Sequence, residues 1–416
     1  MFFKARGAER GQALIVIVFS IIALVGITAL AVDGGNALSE RRRAQNAADA
    51  AALAAALERI NNNTSTWTYA AYSSAKQNGF NNDGITNTVH VYSPPISGPN
   101  EGDIEYIQVQ ITAYTKTYFA PVVGVTQITN QVEAVSRTVT PTYAPILGGA
   151  AVVSLAPTSD CDNNKAFWIH GEQTLSISGS GIFINSNNAD CALIEQGSGS
   201  IRIDGSGQIV IVGNASIQKP RLLTPYPPQT GAVSIPYPPP FYMPKVGCGK
   251  DAAISADGHS MTSGGWNDIF PPPGVDSLDS GVYCLGAGFT LENNQSLSGN
   301  GVVFKIIGGR VQFAGNAHID LSAPTNGDLA GLLIYQPAEN LAPLAINGGD
   351  LTSRIQGTIL APGAQIRIKG NNSTQGFHSQ IIGYTIDADG TSNVIIKYID
   401  DQNYKALTQP QIQFTK

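Results

Sequence analysis

From Ala13 to Val32 the chain reads ALIVIVFSIIALVGITALAV, a run with no charged side chain and only Ser20 and Thr28 as hydroxyls. Nothing else in the sequence restricts the fold as strongly. An α-helix rises about 1.5 Å per residue, so the run spans about 30 Å, the thickness of a bilayer's hydrocarbon core. A cleaved signal peptide would carry an apolar region of only about 7 to 15 residues ending in a small-x-small site. We therefore expect one retained membrane span. Lys4, Arg6 and Arg10 precede it, whereas Asp33 and Glu40 come before Arg41, Arg42 and Arg43 on the far side. This bias favours a cytoplasmic N-terminus, a single pass through the cytoplasmic membrane, and a periplasmic or extracellular location for the bulk of the chain.

That bulk is long for one core, since the chain has 416 residues. Charged residues make up 13% of it and Gly contributes 45 positions, so neutral polar groups must solvate the surface. A net charge of -6, with basic residues clustered only around the apolar run, gives no footprint for nucleic acid. Cys161, Cys191, Cys248 and Cys284 all follow the span and lack the spacing of metal ligands. Two disulfides are expected, and sequence order suggests Cys161 with Cys191 and Cys248 with Cys284. Spacing alone does not choose among the three connectivities.

Residues 39–60 contain almost nothing but strong helix formers and lack Gly and Pro, so the helix should continue beyond the membrane, with only Gly34 and Gly35 able to bend it. An Ala-rich run of this kind fits packing on its neighbours and equally fits bundling during assembly. Residues 1–60 form the first region. Residues 61–145 follow as a small α+β module: Thr66 opens a short helix through Gln77, Gly79 caps it, and TVHVYS, EYIQVQITAYTKTYF and QVEAVSRTV alternate as half-buried strands. Residues 146–416 form a Gly-rich β domain, interrupted at 220–245 by so many Pro that neither a helix nor a central strand can form; an extended strap or linker is expected there, with a recognition peptide as the alternative.

The stretch RGQALIVIVFSIIALVGITALAVDGGNALSERRRAQNAADAAALAAAL, residues 10–57, resembles the N-terminal region of TadG-like (TadE/TadG-type) Flp pilus-assembly proteins. The resemblance is carried by the apolar helix, by the step Ala31-Val32-Asp33, by Arg42 and Arg43, and by Gln45, Asn46, Ala47, Ala48, Asp49 and Ala50 through Ala54. It covers about an eighth of the chain and implies partners in pilus assembly. Related prepilin-like proteins are cut after a Gly and carry a Glu five residues into the mature chain. Here Gln12 follows Gly11 and the fifth position is Val16. That departure favours an anchor that stays in the membrane over a filament subunit.

In the C-terminal half, short apolar strands begin just after Gly301, Gly331, Gly357 and Gly383, at intervals of 30, 26 and 26 residues. A second strand falls inside each step, at 310–316, 343–349, 364–371 and 393–399. An apolar-x-apolar-x-Gly-Asn motif recurs at 209–214, 311–316 and 366–371, where Gly-Asn suits a corner with positive φ. Strands this short must stack on neighbouring coils to bury their apolar faces, so the expectation is a mainly β chain ending in a parallel β-helix. A β-sandwich with Gly-rich turns is the competing reading.

Chemistry is sparse. His90, His170, His259, His318 and His378 form no HxH or HExxH pair. Gly247-Cys248-Gly249-Lys250 lacks the spacing of a phosphate loop. Asp387, Asp389 and Gly390 resemble the start of a Ca²⁺ loop without its closing Glu, and Asp160 and Asp162 fit a solvated loop as well as a cation site. No catalytic, cofactor-binding or metal residue is assigned. The expectation is a structural or binding protein of Flp pilus assembly or cell-surface adhesion, presented to a protein partner or glycan. A membrane-tethered polysaccharide lyase or hydrolase is the alternative, with Asp204, Asp320, Lys305, Arg310, Arg367 and Lys369 as its candidate participants.

Overall fold

The computed structural model describes residues 10–62, 66–139, 141–347, 353–370 and 376–415. Lys4, Arg6, Gly348, Gly349 and Asn371 lie outside the described residues. The chain divides into two compact units, residues 1–141 together with 409–416, and residues 142–408.

The first unit is built on one helix, α1 (Arg10–Asn62). Gly34 and Gly35 do not bend it: both are helical, and the strong helix formers on either side outweigh the cost of about 1 kcal/mol per Gly. Over the apolar run Leu14, Phe19, Ile22, Ile27 and Leu30 are exposed on every side, and the Ser20 and Thr28 hydroxyls donate back to the carbonyls of Val16 and Leu24. Such a helix is long and apolar enough to cross a membrane. Further on, Ala44, Ala47, Ala48, Ala51, Ala52, Ala55 and Ala56 are fully buried, because methyl side chains let a sheet and a second helix approach closely.

That second helix, α2 (Trp67–Gln77), ends as expected, with Gly79 at φ +94 donating to the Lys76 carbonyl. Thr66 does not cap it: its backbone is already in the helical region and its hydroxyl donates to the Glu58 carboxylate instead. The sheet is antiparallel, β1 (Asn87–Tyr92) on β2 (Tyr106–Lys116) on β3 (Gln127–Val139). A fourth strand, Gln411–Thr415, returns from the far end of the sequence to pair with β3. By this division residues 409–416 fall in the first unit and not with the Gly-rich β domain, since a five-residue strand reveals its sheet only through its partner.

In the second unit every pairing between the strands of the ten- and fifteen-stranded sheets is parallel. The strands lie in three rows. One holds Val302–Ile306, Leu332–Tyr335 and Ile182–Ile184; another holds His318–Ser322, Arg354–Gln356 and Thr174–Ser178; a third holds Val311–Phe313, Leu344–Asn347 and Phe167–Ile169. Sequence periodicity shows two strands per step; the strands it does not single out, His318–Ser322, Arg354–Gln356 and Phe377–His378, stack in one row. Inward side chains form ladders, including Phe289 with Phe304 at 4.7 Å and with Phe313 at 4.8 Å.

The chain enters this stack in its middle. Val152 lies beside Ile381, and Leu175 beside Val394, so the first strands dock on the last. From there the strands climb through Ile182–Ile184 to Ile209–Ile211, where Gln229 closes the end by exchanging backbone hydrogen bonds with Ile209 and Ile211. The Pro-rich segment then returns along the stack. Ile235 is gripped by the Asn185 side chain (2.7 and 2.8 Å), the Tyr237 hydroxyl reaches the Pro362 carbonyl, Tyr242 bonds Leu407, and Val246 accepts from Lys305. Cys248 is bonded to Cys284, and Cys161 to Cys191, the pairing that sequence order suggests. The chain then coils from Gly264–Trp266 back towards Val152.

Glycine acts differently from expectation. The Gly of the Gly-Asn pairs at 213 and 370 do not have positive φ; a Cβ there would collide with the backbone of Asn188 or Asn393 in the neighbouring coil. Left-handed backbone occurs instead at the strand openings, with φ +68 at Gly301, +77 at Gly331 and +119 at Gly357.

Candidate functional site

Two places in the described residues concentrate polar chemistry. The first is the end of the apolar run in α1. Asp33 is buried there, 2% exposed, and its carboxylate accepts backbone N–H bonds from Tyr118 (2.9 Å), Phe119 (2.9 Å) and Ala120 (2.7 Å). Those residues lead into the 3-10 turn Ala120–Val123, whose free N–H groups need such an acceptor. Farther along α1 the Gln45 amide donates to both the Asp49 carboxylate and the Glu133 carbonyl, and the Ala52 carbonyl receives the Ser136 hydroxyl. Asp33, Gln45, Asp49 and the buried Ala positions thus hold β2 and β3 against the helix, which assigns the Ala-rich run to packing within its own chain.

The second is a cleft of about 800 Å³ in the coil stack, lined by the 158–165 loop, Trp168, Gln365, Arg367, Tyr384 and Asp387. It lies where the first and last strands of the stack meet, since Asp387 is in register with Arg367 on one side and with Trp168 on the other. The Asp387 side chain is 4% exposed; it accepts from Arg367 Nε at 2.9 Å and lies 2.9 Å from His170 Nε2. Asp389 sits 3.5 Å from Lys369 Nζ and 3.7 Å from His170 Nδ1. Both carboxylates of the DADG sequence are thus occupied by cationic side chains. Trp168 has the His170 ring stacked 3.5 Å from its own and the Lys165 ammonium 3.4 Å from its centre. Asp160 closes its own loop, accepting N–H bonds from Asp162, Asn163 and Asn164, and these hold its carboxyl below the usual range.

Of the candidate hydrolytic residues, the fold brings together Arg367 and Lys369. Asp320 pairs with Arg354 at 2.8 Å, Lys305 binds the strap, and Asp204 and Arg310 are exposed. Sequence reading passed over Trp168 and took His170 only as one of five scattered His. The signal was available, because FWIH alternates and places Trp and His on one outward face of a strand. Among the described residues no group of three His, Cys, Asp or Glu side chains is arranged to hold a metal ion.

A long apolar helix continuing into an Ala-faced helix clasped at Asp33 is consistent with a membrane anchor. Residues 11–58 match the family model of putative Flp pilus-assembly TadE/G-like proteins, the family that residues 10–57 resemble. No curated protein and no solved structure matches the chain.

Proposed function

We propose that this protein is a single-pass, non-catalytic component of the Flp pilus machinery that holds a parallel β-helix outside the cytoplasmic membrane as a structural or binding rod. The observation that carries the reading is the single helix α1, which joins an apolar sleeve to the Ala-faced segment matched by the pilus-assembly family. The N-terminus lies in the cytoplasm and residues beyond Asp33 lie outside, where both disulfides persist. Three rows of parallel strands in one rising order support the β-helix, and the cleft at Trp168 is its best-formed place for a polar partner such as a glycan. Deleting the gene in its host tests the role directly: pilus assembly or pilus-dependent adhesion falls, and full-length protein restores it. Unchanged piliation and adhesion would refute it. The enzymatic alternative predicts glycan cleavage by the purified protein; the pairing of Asp387 and Asp389 with Arg367, His170 and Lys369 supports binding instead, and we expect no turnover.

A further inference from the structure

The β2–β3 hairpin ends in a loop, TYFAPVVGVT at 117–126, without a charge between Lys116 and Gln127. Its large side chains face outward: Tyr118 is 74% exposed, Val122 69% and Val123 66%, with Phe119 and Val125 beside them. A contiguous apolar tip of this kind is unlike the scattered apolar residues of an ordinary surface. The hairpin also has a direction along α1. Ser136 bonds the helix at Ala52, Glu133 at Gln45, Asn130 at Ala37, and the loop itself at Asp33, so each step towards the tip is a step towards the apolar run. The turn Ala120–Val123 packs against α1, and Ala29, inside the apolar run, is buried.

The loop's backbone suits the same surroundings. The N–H groups of Tyr118, Phe119 and Ala120 go to Asp33, those of Val122, Gly124 and Val125 go to carbonyls within the loop, and Pro121 has none. A loop in water has no need of such extensive internal pairing, whereas one in contact with lipid does. Tyr and Phe beside aliphatic side chains are the residues that settle at the boundary between headgroups and acyl chains.

We propose that residues 118–125 insert into the phospholipid interface of the membrane that α1 crosses, giving the protein a second point of attachment. This rests on the reading of α1 as a membrane span. The native cysteines are paired, so one introduced thiol can carry an environment-sensitive dye in the full-length protein. The variants are Val122→Cys, Ile85→Cys as an exposed site of the same unit, and Leu24→Cys within the span. In phosphatidylcholine–phosphatidylglycerol vesicles, aqueous iodide should quench the dye at 122 at least about threefold less than at 85, and a nitroxide near the lipid headgroup should quench 122 but not 85. Equal iodide quenching at 122 and 85, with the dye at 24 quenched by lipid nitroxide, overturns loop insertion and leaves the span standing. A dye at 122 shielded from both quenchers means that protein covers the loop, and overturns it too. A dye at 24 untouched by lipid nitroxide removes the span and the insertion together.

Discussion

Asp33 shows how one side chain can explain a sequence signature. A buried carboxylate with three backbone donors is lost entirely on truncation, so Asp33→Ala should abolish hydrogen-exchange protection at Tyr118, Phe119 and Ala120 while leaving the coil stack unaffected. Unchanged protection there would contradict the clasp. At the cleft, Asp160 titrates below its ordinary value of 3.8, because three N–H groups of its own loop stabilise the ionised form. A depressed carboxyl contributes stability above its unfolded pKa and loses it as pH falls through the folded value. Protection factors in residues 160–164 should therefore be high at pH near 5 and fall on acidification below the ordinary carboxylate range. The Ala31-Val32-Asp33 step was legible as a motif, but its partner was not, since nothing in TYFAPVV announces a need for a carboxylate 85 positions away.

At the level of elements, the Ala face of α1 and the coil strands obey opposite packing rules. Ala48 is fully buried where helix and sheet touch, so Ala48→Leu should overpack the contact and cost about 1–3 kcal/mol, whereas the exposed Leu53→Ala should change little; thermal melts in detergent would compare them. Inside the coils, Ile366→Ala leaves a cavity in a ladder of side chains and should cost about 2–5 kcal/mol. Strand positions in the C-terminal half were legible because apolar pairs follow Gly at a nearly constant step. The role of Gly was only half legible: Gly301 and Gly331 need left-handed backbone, but Gly213 and Gly370 are there because the next coil's main chain leaves no room for a methyl group. That reason depends on a neighbour which sequence spacing does not name.

The whole second unit is stitched from two stretches, 152–224 and 248–397, joined by the Pro-rich strap and by pairing of Val152 with Ile381 and Leu175 with Val394. Each disulfide lies within one stretch. Cleavage beside Val233, which is 88% exposed in the strap, should therefore give two pieces that separate without reductant in denaturing gels yet elute together under native conditions. Dissociation on nicking would show that strand pairing does not hold the halves. Composition and repeats pointed to stacked parallel strands, but the mid-stack start was invisible, because a repeat looks the same whichever copy comes first. On the proposed export route, the order of emergence along the chain matters. Residues 152–224 then emerge first with one rim of their strands unpaired, and only Ile381–Ala388 and Val394–Lys397, near the end of the sequence, pair with it. Until then that rim is an unpaired strand edge, and a copy truncated before Ile381 keeps it.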